Sequence, residues 1–90
     1  MPVEVRLPPL LRTHAGGQAK VSANRGTLGE VLEDVVRQFP NLAGQVVKDG
    51  ALHRFVNVYV NDDDVRYLQQ LDTAVGDDDV VSILPAVAGG

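Results

Sequence analysis

One stretch near the middle of the chain limits the folds open to it. Thr27-Leu28-Gly29-Glu30 has capping-box spacing: the threonine hydroxyl and the Glu30 carboxylate can satisfy amides that a helix start leaves unpaired. Leu28, Val31, Leu32, Val35, Val36 and Phe39 then recur at helical spacing as one apolar stripe, with Glu30, Glu33, Asp34 and Arg37 on the other face. The acidic members of that face lie towards the helix N-terminus, where the dipole favours them. Pro40 ends the run. A helix with one apolar stripe cannot bury that stripe on itself and has to be laid across another layer.

The flanking segments supply a sheet. Val3-Glu4-Val5-Arg6-Leu7 alternates apolar and polar, the pattern of a strand with one buried face, and Pro8-Pro9 ends it. Leu10 to His14 reads as a loop and Ala15-Gly16-Gly17-Gln18 as a turn. Ala19 to Ala23 alternates again, so the first two strands form a hairpin with a long connection. After the helix, Asn41 to Val47 is expected to form a short second helical turn, and Lys48-Asp49-Gly50 a tight turn. Arg54 to Val60 is the strongest strand, with Val56, Val58 and Val60 on one face and Phe55, Asn57 and Tyr59 on the other. Asn61 to Asp64 turns the chain into a short strand, Val65-Arg66-Tyr67. A loop from Leu71 to Val75 and the turn Gly76-Asp77-Asp78-Asp79 lead to the last strand, Val80 to Leu84. The order is strand, strand, helix, strand, short strand, strand. It implies an α+β protein of the ubiquitin-like β-grasp class: a mixed sheet of four to five strands crossed by one main helix, with the first and last strands parallel neighbours. The expected domain is residues 1–85, followed by a flexible tail at residues 86–90.

Composition narrows the chemistry. The 90 residues include no cysteine, which excludes disulfides, thiolate metal sites and a cysteine nucleophile. A net charge of −4 argues against nucleic acid as the main partner and, taken as a whole, suits a basic protein partner. No apolar run is long enough to cross a bilayer, and the start is unlike a signal peptide, so a soluble, cytoplasmic protein is expected. His14 and His53 have no second histidine at metal-ligand spacing. The acidic runs Asp62 to Asp64 and Asp77 to Asp79 lack the glycine and distant glutamate of a calcium loop and read as turns; no metal site is expected. No phosphate loop or nucleophile elbow is present, and a chain of this length has little room for a deep pocket.

Two features could carry function. The chain ends Pro85-Ala86-Val87-Ala88-Gly89-Gly90. Glycine has no Cβ and passes where a side chain cannot, so the Gly90 carboxylate could be a reactive group delivered on a thin tether. An inert frayed end has the same sequence, and the dipeptide leaves both open. The second feature is the sheet face away from the helix. If Val81 and Ile83 pack on the helix, then Val80 and Leu84 lie on the open face, and Phe55 and Tyr59 join them as a docking surface for partners.

The strand order, the ending Ile83 to Gly90, and the segment Arg54-Phe55-Val56-Asn57-Val58-Tyr59-Val60-Asn61-Asp62-Asp63-Asp64-Val65-Arg66 together resemble the ubiquitin-like sulfur carriers, the ThiS/MoaD-like family. The likeness is nearest to the cysteine-biosynthesis branch, CysO, through its R-F-V-N-x-Y-V-N-D-x-D-V-R segment. Two places depart from the family pattern. Pro85-Ala86 stands where many relatives have two prolines, and Asp77-Asp78-Asp79 stands where Asp-Gly-Asp is usual; an aspartate can adopt positive φ there with some strain, so the turn is expected to survive with room for a different shape. The resemblance implies no catalytic residue and no bound cofactor in this chain. It implies chemistry at Gly90: an E1-like adenylyltransferase and sulfurtransferase uses ATP and Mg to activate the carboxylate, which becomes a thiocarboxylate. It further implies a tail from Pro85 to Gly89 that enters partner active sites, a sulfur-accepting synthase that can be pyridoxal-phosphate dependent, and a zinc peptidase. A protein modifier joined to lysines through Gly90, and the small subunit of a molybdopterin synthase, share these features and stay open.

Overall fold

The computed structural model describes residues 2–86. The chain runs β1 (Val3–Arg6), α1 (Pro9–Arg12), β2 (Lys20–Ala23), β3 (Gly26–Thr27), α2 (Leu28–Gln38), β4 (Val47–Lys48), β5 (Ala51–Leu52), β6 (Val56–Val60), β7 (Asp63–Asp64), β8 (Ala74–Val75) and β9 (Val80–Pro85). The main sheet has the order β2-β1-β9-β6-β7. β1 pairs parallel with β9, and the other pairs are antiparallel. With α2 across one face, this is the ubiquitin-like β-grasp fold.

The capping box at the start of α2 is formed. The Thr27 amide donates to Glu30 Oε1 at 2.9 Å, and the Glu30 amide donates to Thr27 Oγ1 at 3.2 Å. Leu28, Val31, Leu32 and Val35 are buried against Val3, Val5, Val21, Val58, Val60, Val81 and Ile83 in one apolar core. Each such side chain contributes about 1.5–3 kcal/mol on leaving water. The alternation in each strand therefore places one set of residues under the helix and the other on the open face. Among the described residues, no helix is long and apolar enough to cross a membrane.

Several local expectations change. The segment expected as a loop after Pro8-Pro9 is helical, as α1 and a 3-10 turn at Thr13–Ala15. Pro8 is extended and Pro9 occupies the first turn, where its missing N–H costs nothing, while Leu11 and Ala15 fill the core one turn apart. The short strand lies at Asp63–Asp64 rather than Val65 to Tyr67, which form a 3-10 turn. There Asp64 Oδ1 accepts from the Arg66 amide at 2.9 Å, and Val65 is fully buried. The helical turn expected over 41–47 is a 3-10 turn at Pro40–Leu42, and Val47 instead begins the β4–β5 hairpin. Asp49 and Gly50, both at positive φ, close that hairpin. The β3–β8 ladder had no counterpart in the sequence reading; its two-residue strands are too short for periodicity to register.

Candidate functional site

The segment of interest is β9, together with the residues that continue the chain from its end. β9 lies in the middle of the sheet, with β1 on one side and β6 on the other. Val81 and Ile83 are buried beneath α2 at 0% and 1% exposure, while Leu84 is 46% exposed on the opposite face. The strand is pinned at both ends by β6 and its flanks. At its start, Asn61 adopts φ +57°, a region asparagine tolerates better than most residues. Its Nδ2 donates to Asp79 Oδ1 at 3.0 Å, its Oδ1 accepts from the Val80 amide at 3.1 Å, and its own amide donates to the Val80 carbonyl at 2.7 Å.

The preceding turn needs no strained aspartate. None of Asp77, Asp78 and Asp79 has positive φ, so the turn forms in a shape that does not use the left-handed conformation. The Asp79 amide donates to the Gly76 carbonyl at 3.0 Å, and the Gly76 amide returns a bond to Asp79 Oδ2 at 2.8 Å. These donors favour the charged carboxylate: the Gly76 amide first, then the Asn61 side chain, hold Asp79 below the ordinary range.

At the other end, Val56 is opposite Pro85, and the Ala86 amide donates to the Phe55 carbonyl at 2.8 Å. Proline has no N–H to give to the ladder, so the first free donor after it makes this last bond. The turn carrying Phe55 is itself built from local contacts. The Phe55 amide donates to His53 Nδ1 at 3.1 Å, which leaves the proton of a neutral imidazole on Nε2. The His53 amide donates to the Val46 carbonyl at 2.7 Å, and the Arg54 guanidinium lies 5.0 Å from the Phe55 ring centroid. Ala86, expected as the first residue of the flexible tail, is held by this bond. Val87, Ala88, Gly89 and Gly90 lie outside the described residues.

The expected docking residues are partly brought together. Tyr59 is opposite Ser82 and Asn57 opposite Leu84, so Tyr59, Val80 and Leu84 share the open face. Tyr59 and Val80 are half-buried. Phe55 was expected within the strand but occupies the turn before it, 51% exposed at the tail end of that face. The face is not purely apolar. Glu4 and Arg6 form an ion pair at its β1 side, and Asp64 and Arg66 form another beside Tyr59 with Nη2–Oδ2 of 2.8 Å. Arg66 holds the Asp64 carboxyl below its usual value, and Arg6 does the same for Glu4. His14 and His53 are apart in the chain, and no group of three or more metal-ligating side chains occurs among the described residues.

The sequence reading missed the two clamps on β9. Asn61 was legible only as a turn former, and the Phe55 carbonyl is a backbone group with no sequence signal. Both lie within the segment 54–66 that carries the family resemblance.

Comparison with known proteins agrees with this geometry. The profile of the ThiS family matches residues 5–90. The sulfur carrier protein CysO of Mycobacterium tuberculosis is 50% identical over 93 residues, covering all of both chains. Small archaeal modifier protein 3 of Haloferax volcanii is 41% identical over 64 residues, 71% of this chain and 70% of its own. Among solved structures, one from the Amycolatopsis orientalis BexX/CysO complex superposes with a TM-score of 0.90 at 48% identity, covering 98% of this chain and 99% of the other.

Proposed function

This chain belongs to the ThiS family, and from that membership we propose that it is a sulfur carrier whose reactive group is the Gly90 carboxylate. The observation that carries the proposal is the extent of the likeness. It reaches residue 90 and covers the whole of a protein known as a sulfur carrier, so the tail belongs to the shared region.

A carboxylate is a poor electrophile because its charge is delocalised onto the carbonyl. The activating enzyme, E1-like, joins it to the α-phosphate of Mg-ATP, giving an acyl adenylate and pyrophosphate. Sulfide then adds at the carbonyl carbon and AMP leaves, so one carboxylate oxygen departs with AMP and a thiocarboxylate remains. Its sulfur is a good nucleophile towards an activated serine on a pyridoxal-phosphate synthase, and a zinc peptidase afterwards releases cysteine. The carrier's part is mechanical. β9, clamped at Asn61 and Phe55, fixes where the tail leaves, and glycine at the end lets it enter narrow sites. Tyr59, Val80 and Leu84, with Phe55 at the edge, are the surface on which partners seat. The carrier works in the cytoplasm as the substrate of its partners and holds no cofactor itself.

Intact-mass measurement after incubation with the activating enzyme, Mg-ATP and sulfide tests this. The full chain is expected to gain one oxygen-to-sulfur increment, lost when Gly90 is deleted although the fold is unchanged. Branched Gly-Gly remnants on lysines of cell proteins would favour the modifier reading, which the archaeal modifier relative keeps in view. A plain carboxylate with every reagent present sinks the carrier.

A further inference from the structure

The charges of this acidic chain are sorted along the strand axis. β1 and β9 run parallel, and β2 and β6 run against them, so register assigns each connection to one end of the sheet. At the end where β9 terminates lie α1 and its 3-10 turn, the start of β2, and the turn before β6. Residues 5–20 contribute Arg12 and Lys20, together with Arg6, whose charge Glu4 takes up, and residues 50–58 contribute Arg54; neither stretch contains an aspartate or glutamate. At the opposite end lie Asp62, Asp63, Asp77, Asp78 and Asp79, with Arg25 paired to Asp77 at 3.5 Å. The net charge of −4 therefore conceals a positive rim around the tail exit.

The two arginines of that rim are held in place. Arg12 Nε donates to the Leu7 carbonyl at 3.1 Å. Arg54 rests on the Phe55 ring, and the Phe55 carbonyl holds Ala86. Among the described residues, neither Arg12 nor Arg54 forms an ion pair with a carboxylate, and Lys20 forms none, although its charge is felt by Glu4. A fixed guanidinium without a local counterion offers its charge outward.

Tail length decides what this charge meets. Gly90 is the fourth residue after Ala86, a reach of at most about 14 Å. At physiological salt, charges in water are screened over about 8 Å, so with the tail at full reach the rim does not act on the nucleotide or the transferred sulfur. It reaches the mouth of the channel that the tail enters. We infer that the positive rim formed by Arg12, Lys20 and Arg54 docks on an acidic rim at the active-site mouth of the activating enzyme and orients the tail towards it. This rests on the sulfur-carrier reading and names the surface chemistry of the partner. The opposite polarity of the two ends turns the carrier in the partner's field, so the tail leads and the aspartate end trails.

The test is the association rate of the full chain with its ATP-dependent activating enzyme at low and high salt, with thiocarboxylate formation followed in parallel. Arg54→Glu combined with Lys20→Glu should slow association roughly 10-fold at low salt and much less at high salt, with turnover at saturation little changed. Arg54→Glu alone leaves the Arg12–Leu7 bond intact and should give part of that loss, and Asp78→Lys at the far end should change association less than twofold. If wild type forms the thiocarboxylate but these variants associate as it does, or salt has no effect, the rim proposal falls and the carrier reading stands. If wild type neither associates nor reacts, both fall.

Discussion

At the scale of single residues, Asn61 has the most influence on how the tail is presented. Its backbone sits at positive φ, and its one side-chain amide both donates to Asp79 and accepts from the Val80 amide, tying the end of β6 to the start of β9. Alanine loses both bonds and must hold a left-handed conformation, at a cost of about 2 kcal/mol. Glycine loses the bonds but adopts that conformation freely, so Asn61→Gly should be less damaging than Asn61→Ala, at about 1 kcal/mol. Urea unfolding of the two variants checks the order. Equal losses would mean the backbone conformation contributes nothing.

At the scale of elements, β9 separates fold from function by its alternation. Ile83 is buried beneath α2, and Leu84, one residue on, is exposed beside Asn57 on the open face. Ile83→Ala should lower stability by about 2–5 kcal/mol, because it leaves a cavity in a packed core. Leu84→Asp should leave stability within about 0.5 kcal/mol of wild type while weakening binding of the activating enzyme, since exposed positions carry little packing energy. Thermal melts and a binding titration of both variants read the contrast, and a Leu84→Asp protein with unchanged affinity removes Leu84 from the docking face. The same alternation explains what was legible beforehand. β1, β2, α2, β6 and β9 have four or more residues each and announce themselves by period, and the capping box fixes the start of α2. The elements misplaced are those held by something other than period. α1 follows from Pro9 at a first turn, the Val65 turn from the Asp64 side chain, and β3 with β8 from a two-residue pairing across about 50 positions. For the site, the tail and part of the open face could be read from residues. The carbonyl of Phe55 could not, because every residue has one.

At the scale of the whole molecule, the depressed carboxyls link stability to acid and sit mainly away from the tail. Amide and hydroxyl donors from Thr27 hold Glu30 below its ordinary value, Arg66 does so for Asp64, and Gly76 with Asn61 for Asp79. A carboxyl with a lower pKa folded than unfolded binds fewer protons in the native state wherever the two differ. Its contribution is thus fully present above the unfolded value near 4 and disappears as pH falls through the depressed folded value. All three hold the turn and cap at the end opposite the tail exit, where β6 hands over to β7, the Gly76 turn enters β9 and α2 begins. Lowering pH from about 6 to about 3 should therefore reduce unfolding free energy continuously, and that end should open first. Hydrogen exchange at acid pH should show protection lost at the Gly76, Glu30 and Arg66 amides before the Ala86 amide that Phe55 holds. Asp79→Asn should make stability at neutral pH lower and its decline in acid shallower, because the group that titrates is gone. A variant with the wild-type slope would mean that Asp79 does not contribute to the linkage. Loss of the Ala86 amide first would place the acid-sensitive region at the tail exit instead.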